Sequence, residues 1–362
     1  MAVHETLDDK RTSVSTRGAL RTRWQVVLDE FPMSTAVLPS TGDIVTVLST
    51  GCVERYEQSS GKRQWRFTPS RPGGGMSVAI SPVSDDLAVA HQNGTCTILT
   101  AADGSPQKII EVGRGFVDAT AWSRSGRLLA IACGRNVVVV DRSGELVFTS
   151  PEHPGTVTGL AFSQSEELLT ACHGCVASYR LPSGEALETF LFAGSPVSLV
   201  ISPVGEHVVV GCLDRTIHFW RRSTGRDSMM SGYDTKPTAL AFDDRSHHLA
   251  TGGGRDIMVW SFGKKGPEGT EPSLLCAHVD NVRALAFARR SRLLASGGAD
   301  GGVILWGLDS RGRGTQLGAA RASSAVHGVV FTPDNKTIVA SSAAGILLAF
   351  DVDAAGSHTG SS

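Results

Sequence analysis

The sequence predicts an all-β fold, a single circular β-propeller of four-stranded antiparallel blades. Three observations predict it. An apolar triplet recurs eight times, ending at Leu38, Ile80, Trp122, Phe162, Ile201, Phe242, Phe287 and Phe331, at intervals of 39–45 residues that suit one four-stranded blade. A second landmark, the end of a later apolar run, recurs in step at Tyr56, Leu99, Val140, Tyr179, Trp220, Trp260, Trp306 and Phe350. Finally, seven units carry a further short run and the eighth does not, while a run without a hairpin partner, Arg23 to Leu28, stands before the first unit.

Taken in order, residues 1–21 are polar and aperiodic and read as a disordered tail. The lone strand follows, and the propeller is expected over residues 22–352. Polar turns such as SPVSDD at 81, SRSGR at 123 and SPVGEH at 202 separate the first two strands of a unit. Five residues before each third-strand landmark stands Gly51, Gly94, Arg135, Gly174, Arg215, Arg255, Gly301 or Gly345, a tight-turn position where glycine relieves positive φ. Fourth strands are expected at 64–67, 108–112, 146–149, 187–192, 227–231, 274–277 and 315–318. A sheet one strand short would expose unpaired backbone groups. The Trp24 strand is therefore expected to complete the last blade and close the ring. Residues 353–362 read as a second disordered tail.

Composition excludes several classes. The net charge of −1 gives no global attraction to nucleic acid or an acidic membrane. Seven cysteines in 362 residues are not a disulfide scaffold. The N-terminal segment lacks the apolar core of a secretory signal, and no apolar run reaches membrane-spanning length. The expected compartment is the cytoplasm.

The stretch AHVDNVRALAF…LLASGGADGGVILW resembles the WD-repeat β-propeller family. His278, Ser296, Asp300 and Trp306 match that family's hydrogen-bonded tetrad, which ties blade strands together. Other units are degenerate: the fourth keeps His153 but has Gly174 and Tyr179, the fifth keeps Asp214 and Trp220 but has Ala193, and the sixth keeps Trp260. The Asp that follows the Trp in the family is absent. Eight units are counted, where seven is the family's commonest number and stands as the alternative. The GKRQWRF of the first unit also resembles repeats of eight-bladed quinoprotein-like propellers.

His278, Asp300 and Ser296 have the residue types of a catalytic triad, but in a blade they read as a buried relay. Cys172-His173-Gly174-Cys175 lacks the second pair of a structural zinc site. Cys133, Cys172 and Cys212 hold equivalent positions and read as small apolar fillers. Gly73–Gly75 and Gly252–Gly254 lack the Lys-Ser/Thr of a phosphate loop. No metal or cofactor is expected.

Charge differs between the two faces. The face formed by the loops joining strands one to two and three to four, the bottom, gathers Arg221, Arg222, Arg226, Lys264, Lys265, Arg289, Arg290, Arg292, Arg311 and Arg313 in units five to seven. This is either a solvated rim or a docking arc for an acidic partner. On the top lie Arg71, Arg114, Arg135, Arg215 and Arg255, and the resemblance implies peptide binding across that face. Aromatic residues are not interleaved with these charges, which disfavours single-stranded nucleic acid. The expected function is a non-catalytic, monomeric scaffold or adaptor that presents loops to a protein or peptide. The alternatives are a quinoprotein-like propeller enzyme and a structural or regulatory subunit of a larger enzyme.

Overall fold

Each sequence unit folds as one sheet. A computed structural model describes residues 18–263 and 266–352. Among them are 32 strands, β1 to β32 in chain order, in eight four-stranded antiparallel sheets and no helix. The eight blades run in sequence around the ring. Lys264 and Lys265, most of the N-terminal tail and all of the C-terminal tail lie outside the described residues.

Burial explains why the middle strands read as continuous apolar runs. The second strands of blades one and two, β3 (Ile44–Leu48) and β7 (Leu87–His91), are buried at every position. Both faces of such a strand meet a neighbouring blade, so no alternation survives. The outer strand β9 (Pro106–Glu111) alternates between exposed and half-buried residues, as an edge in water should. Eight apolar clusters result, one for each adjacent pair of blades.

The first strand closes the ring as expected. β1 (Arg21–Val27) pairs antiparallel with β32 (Ile346–Asp351), from Arg21 opposite Asp351 to Val27 opposite Ile346. It begins two residues earlier than its sequence pattern. Leu20, at the end of the segment read as a tail, is buried, and its amide donates to the Ala319 carbonyl of blade seven at 2.9 Å.

β1 also docks by the device that a local outer strand uses. The Trp24 ring lies over Gly61 in blade one, and its Nε1 donates to the Gln58 carbonyl at 2.8 Å. Trp65, from the outer strand of blade one, lies over Gly104 in blade two and donates to the Ala101 carbonyl at 2.9 Å. Phe148 of blade three covers Gly184 of blade four in the same way. These glycines have φ of +69°, +73° and +73°, and a Cβ on any of them would fall within 3 Å of the ring. Backbone conformation and close approach both select glycine there.

Every turn between the first and second strands contains one left-handed residue: Gly42, Asp85, Gly126, Glu166, Gly205, Ser246, Arg290 or Asn335. Adjacent turns are tied together. Ser40 donates to Asp85, the Ser125 hydroxyl to Glu166 at 2.7 Å, the Val204 amide to Ser246 Oγ at 3.0 Å, and the Arg290 amide to Asp244 at 2.5 Å. The Arg289 amide and carbonyl bond the Asn335 side chain at 3.0 and 2.7 Å. The bottom face is thus a set of interlocked turns rather than independent loops.

The top turns depart from expectation in two blades. Gly51, Gly94, Gly174, Arg215, Gly301 and Gly345 have positive φ as predicted. In blade three the left-handed residue is Gly134, one position before Arg135. In blade six neither Arg255 nor the glycines before it adopt positive φ. Both arginines therefore sit beside their turns in ordinary backbone conformations.

Candidate functional site

The tetrad forms a continuous relay in blade seven. Trp306 Nε1 donates to Ser296 Oγ at 2.9 Å, and Ser296 Oγ lies 2.8 Å from His278 Nε2. His278 Nδ1 lies 3.1 Å from Asp300, which also accepts the Val279 and Gly302 amides at 2.8 Å each. Burial pushes the His278 imidazole below its ordinary value, and the pull of Asp300 does not cancel that effect. Burial raises the Asp300 carboxyl, but the two amides and His278 outweigh it and hold the group low. A neutral imidazole beside a carboxylate fixes the proton order: Nδ1–H donates to Asp300 and Nε2 accepts from Ser296. Ser296 has 0% exposure and its hydroxyl is engaged on both sides. The spacing resembles a catalytic triad, yet no substrate can approach the oxygen.

Two further relays use residues that the sequence pattern hid. In blade six Tyr233 takes the histidine's place: its hydroxyl accepts from Trp260 Nε1 at 3.1 Å and bonds Thr251 Oγ1 at 3.0 Å. Burial pushes its phenol up to about 12. In blade four His153 Nε2 bonds Thr170 Oγ1 at 2.9 Å, and Tyr179 meets the imidazole edge-on. In blade five apolar rings fill the space instead: Phe190, from the outer strand of blade four, and Phe192 just after it pack against Trp220. Cys133, Cys172 and Cys212 end the second strands of their blades, as expected, and are buried. Cys172 and Cys175 face each other across a hairpin with their sulfurs 3.3 Å apart.

The top arginines divide into engaged and open. Arg71 pairs with Glu111 at 2.7 Å. Arg135 pairs with Glu152 at 3.3 Å and donates to the His153 carbonyl at 2.6 Å. Arg114, Arg215 and Arg255 are exposed and have no ion pair among the described residues. Arg114 lies between blades two and three, Arg215 in blade five and Arg255 in blade six.

The bottom arc divides in the same way, but two of its open members, Arg290 and Arg292, converge. Arg222 is held between Glu167 and Glu188 at 2.7 Å each and is largely buried, so it clamps blade five to blade four. Arg226 lies 3.9 Å from Glu268, and Arg313 lies 2.8 Å from Asp309. Arg221 is half-buried. Arg311 is exposed and its amide donates to Asp309 at 2.8 Å. Arg289 is exposed on the turn locked to Asn335.

Arg290 and Arg292 line a cleft of about 270 Å³ between blades six and seven, with Asp243, Arg245, His247, His248, Ser291 and Ser310. Arg245, Arg290 and Arg292 have no ion pair among the described residues. The cleft's carboxylate is occupied. Asp243 accepts the His247 and His248 amides at 2.6 and 3.1 Å and lies 3.4 Å from His248 Nδ1. Burial raises this carboxyl, and those hydrogen bonds outweigh burial and hold it below the usual range. Three guanidinium groups without an ion-pair partner thus share a polar cavity with one ionised carboxylate, on turns fixed to their neighbours. Sequence reasoning missed Arg245, His247 and His248. The available signal was that DDRSHH of unit six and ARRSR of unit seven are equivalent turns on adjacent blades.

Comparison with known proteins gives two family matches. Residues 269–307 match the profile described as "WD domain, G-beta repeat", the segment that holds the complete tetrad. Residues 17–229 match one described as "Outer membrane protein assembly factor BamB", and this half contains the tryptophan–glycine docking. WD repeat and FYVE domain-containing protein 1 of Mus musculus is 26% identical over 64% of this chain and 59% of its own length. Protein HIR1 of Yarrowia lipolytica is 27% identical over 38% of this chain and 17% of its own length. The chain therefore spans less than two thirds of these relatives. Among solved structures, the computationally designed Ika8 protein superimposes with a TM-score of 0.77 at 20% identity, over 90% of this chain and 98% of that one. That likeness concerns the fold alone.

Proposed function

Because the chain belongs to the WD-repeat β-propeller family, we propose that it is a non-catalytic scaffold that docks an acidic protein or peptide on its bottom face, at blades six and seven. The observation that carries this reading is the cleft whose three guanidinium groups lack partners while Arg222, Arg226 and Arg313 have theirs. Charges already engaged within the fold contribute packing and little attraction, whereas open ones on a fixed surface steer and hold an anionic partner. The interlocked turns lower the ordering entropy lost on binding.

The test is affinity capture from native lysate with the wild type beside a variant carrying Arg289→Glu, Arg290→Glu and Arg292→Glu, after circular dichroism shows equal folding. Loss of a captured protein with the variant alone is the expected result. A partner retained by both proteins would refute the bottom face and direct attention to Arg114, Arg215 and Arg255 on the top.

A further inference from the structure

We propose that the cleft between blades six and seven is a binding site for one phosphoryl group, carried by a phosphorylated serine or threonine of the partner. The inference deepens the reading above and rests on it.

The chemistry of the lining selects the ligand. Arg245, Arg290 and Arg292 approach one cavity of about 270 Å³ with the hydroxyls of Ser291 and Ser310. A guanidinium presents parallel N–H donors that match two oxygens of a phosphate. A phosphate monoester carries about −1.5 to −2 charge at neutral pH and three acceptor oxygens. A side-chain carboxylate offers two oxygens and one charge, so it would leave much of this set unanswered. Asp243, held ionised by the His247 and His248 amides, answers one of the three guanidinium charges, and the two that remain match the charge of one phosphate monoester.

The surroundings select the carrier. Two carboxylates flank the cleft: Asp244, which accepts the Arg290 amide, and Asp309, next to Ser310 and paired with Arg313. An anionic lipid surface or a nucleic acid backbone spreads its charge over a wide area and would meet these carboxylates as well as the arginines. Three guanidinium groups gathered at one cleft suit an isolated phosphoryl group on a peptide. The lining holds no Phe, Tyr or Trp on which bases would stack.

The test uses the full chain and four probes: inorganic phosphate, a degenerate phosphoserine/phosphothreonine peptide library, the same library unphosphorylated, and phosphatidylcholine vesicles containing a phosphatidylinositol phosphate. Arg245→Ala and Arg292→Ala remove exposed side chains. Arg290→Asn is used because Arg290 has φ +49°, a conformation asparagine tolerates. The expected result is retention of phosphorylated peptides, competition by inorganic phosphate, and about a tenfold or greater loss of affinity in each variant. Equal retention of the unphosphorylated library, indifference to the three substitutions, or binding of vesicles alone would overturn the proposal. Phosphatase treatment of the lysate separates it from the broader reading. A partner that still depends on Arg290 and Arg292 after dephosphorylation leaves the scaffold reading standing and removes the phosphoryl site.

Discussion

Replacing Trp24 with alanine tests whether the ring is closed by its first strand in the way described. Trp24 is 8% exposed and packs in the cluster joining blades eight and one, with Ile44, Leu48, Tyr56, Val339 and Leu347. A side chain of this kind buries about 150–250 Å², worth about 4–6 kcal/mol at 25 cal/mol per Å². The extended-chain reference makes that an upper bound, and truncations of buried tryptophan cost about 3–5 kcal/mol. The Gln58 carbonyl also loses its donor, about 1 kcal/mol. The expected loss is therefore about 4 kcal/mol. It should be read by urea unfolding followed by far-UV circular dichroism, together with hydrogen exchange of the β32 amides. Those amides should lose protection in Trp24→Ala, because their partner strand is held by the ring over Gly61. Trp24→Phe should recover most of the stability. A cost below about 1 kcal/mol with unchanged protection of β32 would refute closure by β1.

Three further outcomes follow from the packing. Ser296→Ala removes the centre of the blade-seven relay, leaves Trp306 Nε1 and His278 Nε2 buried without their partner, and should cost about 2–4 kcal/mol in denaturant unfolding. Gly184→Ala places a Cβ 2.4 Å from the Phe148 ring at φ +73°, so a loss above about 1 kcal/mol is expected, and a gain in melting temperature would contradict the docking geometry. Burial lowers the pKa of His91, His153, His207, His278 and His327 from the ordinary 6.5. The unfolded chain then binds more protons below that value, so stability present above about pH 6.5 falls as the pH drops toward the folded values. Urea midpoints at pH 7.5 and 5.5 should show this decline, and His278→Gln should make it shallower.

Different parts of the molecule were legible in the sequence for different reasons. Strand order and ring closure could be read because two landmarks kept step and because the eighth unit lacked a strand that Trp24 to Leu28 could supply. The blade-seven relay was legible because His278, Ser296, Asp300 and Trp306 are all present. Its counterpart in blade six was hidden, because Tyr233 reaches the same hydrogen bonds with another side chain. The cleft was half visible. Arg290 and Arg292 stood out in a basic run, but Arg245 stands alone between Asp244 and Ser246. Asp243 and Asp244 turn instead to the amides of His247, His248 and Arg290. Turn backbones compete for carboxylates, so adjacency in sequence does not set the ion pairing.

The clasp between β1 and β32 also has a mechanical consequence. The strands run antiparallel, and Arg21 stands opposite Asp351 at one end of the ladder. Tension applied between these two positions would load the hydrogen bonds one after another, so the seam would peel open as a zipper instead of resisting in shear. Arg23, whose Nε lies 2.6 Å from Asp351, guards the end where peeling would start. The ring that is rigid to a docking partner is thus weakest to a pull along its own chain.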